Sequence, residues 1–291
     1  MVSEFEAQVR ATNDKINART GRPLVLALTV GIGLGLALLG SLIFVKEFYM
    51  IFAALLAGFT TFELASALRF AGRDVPRIPI VIAALAVVPA SFYWLATGHW
   101  LVTLAGILFI SVWRLVELIS PSRRGSVGDV LKDLGAGAFI MAYVAFMAGF
   151  TVLLTAQEGG QWWTLAFLIV VVAVDTGAYA TGLTFGKHKM APLISPGKTW
   201  EGFAGSAAAA ILAGVLVSTF MLQQPWWVGV ILGLVIVGTA TAGDLAESLI
   251  KRDLGIKDIS TWLPGHGGFL DRVDSSLLSG AAAYALFLIF A

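Results

Sequence analysis

Long apolar runs are the feature that most limits what this chain can fold into. Nine are present, at about 24–45, 47–68, 78–97, 99–119, 132–156, 162–184, 202–222, 226–249 and 276–291. A helix needs roughly 20 residues to cross a bilayer, and most of these runs reach that length. Only 13% of the residues are charged, whereas a soluble domain has roughly 25%. Backbone polar groups in lipid must be bonded within their own segment. We therefore predict an all-α polytopic integral membrane protein with about nine transmembrane helices.

Basic residues are distributed unevenly between the two sets of loops. All but two of the 19 Lys and Arg residues lie before the first run or in the loops after runs two, four, six and eight; the exceptions are Lys46 and Arg114. Lys and Arg are enriched in cytoplasmic loops. The distribution predicts a cytoplasmic N-terminus and an external C-terminus. We expect the protein to be integral to the cell (inner) membrane.

The composition also excludes several kinds of chemistry. The chain has no Cys, which removes disulfides, thiolate metal sites and cysteine nucleophiles. Its three His residues argue against a His-rich metal site. The net charge of +1 provides no overall attraction to nucleic acid, which we do not expect as a partner.

A few charged residues lie inside the apolar runs. Asp175 is in run six and Asp244 is in run eight. A carboxylate at the bilayer centre costs about 2.5–3.5 kcal/mol and usually has a function, so we predict functional roles for both. For Glu63, Arg114 and Glu117 we favour structural roles, because Arg114 and Glu117 could pair on one helix face three residues apart.

The loop after run six has features of a phosphate-binding site. Residues 195–202 read Ser-Pro-Gly-Lys-Thr-Trp-Glu-Gly, and their Gly-Lys-Thr resembles the end of a P-loop. A true P-loop needs a Gly where Pro192 stands, and it needs a strand, so we reject that fold and keep the phosphate hypothesis. Ser195 or Thr199 could also cap the next helix, with Glu201 completing the start signal. Capping is compatible with phosphate binding.

A second polar group begins at the end of run eight. Asp244, Ser248 and Lys251 follow i, i+4, i+7 spacing and share one helix face. A polar helix face is unfavourable in contact with lipid, so we predict that this face points into the protein interior or into a water-filled cavity.

Residues 257–275, the Gly-rich segment, follow directly. Here one Pro and three Gly surround a single His, which predicts a tight turn that can approach a ligand closely. Asp271 and Asp274 are three apart, in what should be the opening turn of the last helix. Magnesium is typically held by one or two carboxylates together with substrate phosphates, so these aspartates suggest a magnesium site.

The order of residues 248–274 is similar to a known family pattern. It reads Ser-x-Ile-Lys-Arg, then Lys-Asp-x-Ser, then Leu-Pro-x-His-Gly-Gly-Phe-x-Asp-Arg-Val-Asp. This resembles the signature of phosphatidate cytidylyltransferases, also called CDP-diacylglycerol synthases. The stretch Asp175-x-x-Ala-Tyr and residues 195–202 resemble the second conserved block of that family. Two positions depart from it: Val174 stands where Asn is common, and Gly197 where Lys is common, which removes one possible phosphate contact.

The resemblance implies a nucleotidyltransferase that converts CTP and phosphatidic acid into CDP-diacylglycerol and pyrophosphate. It also implies a metal centre on Asp244 and Asp271, with Mg²⁺ as the ion and a second cation allowed beside it, and it implies a homodimer. The candidate catalytic residues are Asp175, Lys198, Asp244 and Asp271. The candidate substrate-binding residues are Ser195, Thr199, Glu201, Ser248, Lys251, Arg252, Lys257, His266, Gly267, Gly268, Arg272 and Asp274.

The implied division of the chain has three parts. A cytoplasmic segment (1–22) precedes N-terminal transmembrane helices (23–160) and a C-terminal catalytic transmembrane region (161–291), whose active site would face the cytoplasm.

Two other functions remain as alternatives. A CTP-dependent lipid-alcohol kinase would share magnesium and basic loops, but it would transfer the γ-phosphoryl group to a hydroxyl. An ion-coupled secondary transporter would use Asp175 and Asp244 as coupling sites. Its polar residues should lie near the midplane, whereas the polar residues of this chain are concentrated in two loops on one side.

Overall fold

The computed structural model describes residues 24–123, 125–260, 262 and 267–291. Helices dominate these residues: α1 Leu24–Phe44, α2 Lys46–Phe70, α3 Arg77–Tyr93, α4 Leu95–Glu117, α5 Val127–Ala156, α6 Gly160–Phe185, α7 Trp200–Phe220, α8 Trp226–Asp253 and α9 Leu270–Phe290. Helix α5 contains a π-helical stretch, Met141–Phe146. A short 3₁₀ turn, Pro121–Arg123, precedes α5. Seven of the helices are long and apolar enough to cross a membrane, and the other two apolar stretches, Gly35–Phe44 and Arg77–Tyr93, are shorter. In the described part of the chain, the number of helices agrees with the nine predicted.

One loop departs from the predicted all-helical class. Between α6 and α7 the chain forms an antiparallel hairpin of β1 Lys189–Ala191 and β2 Ser195–Thr199. Lys189 pairs with Thr199, and Ala191 pairs with Ser195. The hairpin lies between two apolar runs. The hydropathy pattern, which identified the helices, carries no information about the pairing of strands in such a loop.

Helix boundaries near the polar motifs extend beyond the apolar runs. Helix α9 begins at Leu270, six residues before run nine, and α8 continues to Asp253, four residues past run eight. Hydropathy identifies only the apolar part of a helix. The helix itself can continue into polar residues, provided that their side chains contact water or other protein groups. Asp271 and Asp274 therefore lie in the first turns of α9, as predicted.

Helix α9 packs against both halves of the chain. One buried cluster is formed mainly by α2–α5 and includes the fully buried Leu64, and α9 adds Leu277 to it. A second cluster is formed mainly by α6–α8 around Phe167, and α9 adds Leu286. The helix that carries Asp271 is thus held by apolar contacts on two sides.

The predicted pairing of Arg114 with Glu117 is wrong. Arg114 Nη2 lies 2.8 Å from Asp133 Oδ2 on α5 and 3.6 Å from Asp74 Oδ2. Glu117 instead accepts a hydrogen bond from Trp113 Nε1 at 3.2 Å. A buried guanidinium is stabilised best by a carboxylate that it can also hydrogen-bond, and helix packing brings Asp133 close in space although it is distant in sequence. The structural role favoured for Arg114 agrees with this ion pair.

We expect Asp133→Asn to destabilise the protein by about 3 kcal/mol, because it leaves a buried guanidinium without its main counter-charge. Arg114 and Asp133 are only 3% and 5% exposed. The midpoint of thermal unfolding in detergent measures the effect. Asp129→Asn is the matched control, since Asp129 is exposed on the same helix. Equal midpoints for the two variants would show that the pair contributes nothing.

Candidate active site

A polar cavity of about 470 Å³ lies between the hairpin and helices α6, α7, α8 and α9. Its walls include seven of the candidate residues, namely Asp175, Lys198, Thr199, Asp244, Asp271, Arg272 and Asp274. These residues come from four separate parts of the chain. The fold thus brings the intramembrane aspartates, the hairpin lysine and the start of α9 together at one place.

Two lysines neutralise part of the acidic charge around the polar cavity. Lys198 Nζ lies 2.7 Å from Asp244 Oδ2, which joins the hairpin to α8. Lys251 Nζ lies 2.6 Å from Glu247 Oε2 and 2.8 Å from Asp271 Oδ1. Because Lys251 is on α8 and Asp271 is on α9, this ammonium group also fixes the two helices relative to each other.

The remaining aspartates of the polar cavity lack such partners. No described Lys, Arg or His forms an ion pair with Asp175 or Asp274. Among the described residues, only the backbone amide of Ser275 donates a hydrogen bond to Asp274, at 2.7 Å. Arg272 lines the same cavity, and its side chain makes no hydrogen bond or ion pair with any other described residue. The cavity therefore combines carboxylates that could hold a cation with a guanidinium that could hold a phosphate.

Local hydrogen bonds explain how the hairpin presents Lys198. Thr199 Oγ1 accepts from the amide of Gly202 at 3.1 Å, so Thr199 caps α7 as predicted. The Glu201 carboxylate accepts from the amides of Lys187 and His188, each at 3.1 Å, and Glu201 Oε1 lies 2.5 Å from His188 Nδ1. Glu201 does not line the polar cavity. Its contacts instead fix the start of the hairpin.

The glycines of the Gly-rich segment permit a close approach between protein groups. Gly267 has φ of +83°, a conformation that favours glycine. The amide of Gly268 donates to Asp271 Oδ2 at 2.9 Å. A Cβ atom on Gly268 would lie 3.0 Å from both Asp271 Oδ2 and Glu63 Oε2. Most of the predicted tight turn, residues 263–266, lies outside the described residues, but at Gly268 two carboxylates of the protein itself approach the backbone.

The other described substrate-binding candidates do not line the polar cavity. They are Ser195, Glu201, Ser248, Lys251, Arg252, Lys257, Gly267 and Gly268. Ser248 donates to Asp244 Oδ1 at 3.4 Å, and Arg252 Nε donates to the carbonyl of Ile194 at 3.1 Å, which ties the end of α8 to the hairpin. Lys257 is exposed. His266 lies outside the described residues.

Sequence reasoning missed two carboxylates that support this site. Glu247 is not among the candidate residues, and it forms an ion pair with Lys251. Glu63 was favoured as structural, and it hydrogen-bonds two parts of the Gly-rich segment. An unpaired carboxylate inside an apolar run was the signal available for Glu63, although nothing in the sequence indicates which loop it contacts.

Comparison with known proteins agrees with the motif resemblance. A model of the cytidylyltransferase family matches residues 26–290. A protein named phosphatidate cytidylyltransferase from Mycobacterium bovis is 40% identical over 276 residues, which cover 92% of this chain and 89% of that protein. One of the same name from Mycobacterium leprae is 37% identical and covers 94% of this chain and 90% of its own length. A Brucella suis protein of that name is 42% identical over 157 residues, or 54% of this chain and 57% of its own.

Proposed function

Because the chain belongs to the cytidylyltransferase family, we propose that it transfers the cytidylyl group of CTP to phosphatidic acid. A phosphate oxygen of phosphatidic acid attacks the α-phosphorus of CTP. The bond from the α-phosphorus to the oxygen bridging the α- and β-phosphates breaks, and pyrophosphate leaves. The products are CDP-diacylglycerol and pyrophosphate. The attacking phosphate is already ionised at neutral pH, so the reaction needs no strong general base and no covalent intermediate.

The observation that carries this proposal is the grouping of four aspartates, Lys198 and Arg272 around one cavity. The main difficulty of the reaction is to bring two polyanions together, and positioned cations overcome it by neutralising charge. We assign Lys198 and Arg272 to phosphate oxygens of the substrates. Lys251 lies outside the cavity wall and acts by holding Asp271 in place.

The donor chemistry of the polar cavity fits magnesium. Asp244 and Asp271 both line it, although each is paired with a lysine in the structure, and Asp175 and Asp274 line it without an ion pair to any described residue. Carboxylate oxygens are hard ligands of the kind that Mg²⁺ prefers. Among the described residues, no three acidic or His side chains are grouped closely enough to enclose an ion. Magnesium can instead be held by one or two carboxylates, with substrate phosphates and water completing its shell. When bound there, magnesium would neutralise phosphate charge and align the attacking oxygen with the α-phosphorus.

An adjacent apolar cavity supports the assignment of an amphipathic substrate. It has a volume of about 220 Å³ and lies between α1, α2, α5, α6 and α9. Arg272 lines both this cavity and the polar cavity. A lipid phosphate at Arg272 would have apolar protein surface on one side and the proposed CTP site on the other.

We further propose that the polar cavity faces the cytoplasm from the cell (inner) membrane. CTP is a cytoplasmic nucleotide, and the basic loops that predict the cytoplasmic side include the hairpin and the end of α8. The hairpin lines the cavity, and Arg252 at the end of α8 hydrogen-bonds to the hairpin. The homodimer and the second cation stay predictions from the family resemblance.

Removing divalent cations is expected to abolish activity. Purified protein in mixed micelles would receive CTP, phosphatidic acid and Mg²⁺, and pyrophosphate release would be followed with and without EDTA. We expect release only when both substrates and the metal are present, with full recovery when Mg²⁺ is added back in excess. Undiminished turnover in EDTA would contradict the metal-assisted mechanism, and no turnover under any condition would contradict the proposed function.

A further inference from the structure

Glu63 is a buried carboxylate with an unusual set of partners. It lies on α2, is only 1% exposed, and forms no ion pair with any described residue. Its Oε1 atom accepts a hydrogen bond from Ser260 Oγ, and its Oε2 atom accepts from the amide of Leu270 at 3.0 Å. A buried charge is costly unless hydrogen bonds compensate it. Here, both oxygens bond to residues that are about 200 positions away in the sequence.

The surface of α2 around Glu63 also packs against the Gly-rich segment. The ring of Phe59 stacks on Phe269 with centroids 4.7 Å apart, and it meets Trp262 edge-on at 6.0 Å. Phe62 stacks on Trp262 at 5.4 Å. Gly268 fits between the carboxylates of Glu63 and Asp271, and a Cβ atom there would contact an oxygen of each tightly. One face of an N-terminal helix therefore contacts several points of the segment that carries the candidate metal ligand.

We propose that Glu63 is a positioning residue, which fixes the Gly-rich segment so that Asp271 points into the polar cavity. Leu270 is the neighbour of Asp271, so the bond from its amide to Glu63 sets the backbone at the start of α9. Asp271 can then accept from the Gly268 amide and pair with Lys251 at the same time. The catalytic consequence rests on the proposed function, whereas the positioning itself does not.

Three variants test this role. Glu63→Leu removes both acceptors at similar volume, and Glu63→Gln keeps the shape and one strong acceptor. Glu117→Gln is the matched control, since Glu117 is also a carboxylate on an apolar helix, but its one hydrogen-bond donor among the described residues is Trp113, on the same helix. Hydrogen–deuterium exchange of residues 267–275 reports positioning, and kcat, KM for phosphatidic acid and the Mg²⁺ concentration for half-maximal rate report function.

Glu63→Leu is expected to speed amide exchange in 267–275 and to lower kcat about 10- to 100-fold, the loss that corresponds to a hydrogen bond to a charged group. It should raise the Mg²⁺ requirement and leave the KM for phosphatidic acid unchanged. Glu63→Gln should recover much of the rate, and Glu117→Gln should match the wild type.

Two results would overturn the proposal. One is unchanged exchange in 267–275 in both Glu63 variants. The other is faster exchange with wild-type kcat and Mg²⁺ requirement, which would leave Glu63 a purely structural residue. If Glu63→Leu does not fold, Glu63→Gln decides: having lost one of the two acceptors, it should still show faster exchange in 267–275 and a kcat a few-fold below the wild type, and wild-type values of both would overturn the proposal. An inactive wild type would contradict the proposed function alone, since exchange would still test the positioning.

Discussion

Replacing Asp271 with Asn is expected to lower kcat about a thousandfold, because it removes a carboxylate that we assign to magnesium. Metal stabilisation of transition-state charge amounts to several kcal/mol, and each 1.4 kcal/mol is about a factor of ten in rate. The asparagine keeps the size of the side chain and one acceptor for the Gly268 amide. Lys251 keeps its other partner, Glu247, at 2.6 Å. The variant should therefore insert and purify normally, so the loss can be assigned to the chemistry.

The measurement is the steady-state rate across a Mg²⁺ titration, together with the midpoint of thermal unfolding. Asp253→Asn is the control, since Asp253 is an exposed carboxylate at the end of α8 that does not line the polar cavity. Near-normal activity of Asp271→Asn would rule out the metal assignment. A large drop in the unfolding midpoint with no specific loss of rate would point to a structural role.

Replacing Lys198 with Met is expected to lower kcat/KM for CTP about a hundredfold. The ammonium group lies in the polar cavity beside Asp244, and we assign it to a phosphate oxygen whose charge increases as pyrophosphate leaves. Removing one such preorganised donor typically costs a factor of about 10²–10³. Lys198→Arg keeps the charge with a different geometry and should retain part of the activity.

Lys189→Met is the matched control for this prediction. Lys189 is on the other strand of the same hairpin, is exposed, and does not line the polar cavity. We expect its kcat/KM to stay near that of the wild type. If both lysine variants lose activity equally, the hairpin acts through its overall charge, and the specific role of Lys198 is wrong.

The membrane helices were predictable because an apolar run in lipid must satisfy its backbone hydrogen bonds within the run. Each such run therefore marks a helix. The aspartates of the site were also predictable as a group, since Asp175 and Asp244 stand out as charges inside such runs. The spacing of Asp271 and Asp274 indicated a shared turn at the start of α9, and both residues line the polar cavity.

The partners of these charges could not be predicted, because they depend on how distant segments pack. Arg114 pairs with Asp133 rather than with Glu117, its neighbour on the same helix. Glu63 bonds to Ser260 and Leu270 across most of the chain. Local spacing shows which residues can share a face, but tertiary packing decides which carboxylate reaches which donor. The β-hairpin was missed for a related reason, since its few polar residues carry no hydropathy signal.

The most direct test of the central claim is the fate of the phosphates of CTP. Purified protein in mixed micelles would receive Mg²⁺, phosphatidic acid and CTP labelled separately at the α- and γ-phosphates, with a lipid alcohol supplied in a parallel reaction. The account predicts that the α-label enters the lipid while the γ-label leaves as pyrophosphate. Entry of the γ-label into the lipid alcohol would identify a kinase and contradict the account. If neither label moved under conditions in which a related phosphatidate cytidylyltransferase is active, the cytidylyltransferase assignment would also be contradicted.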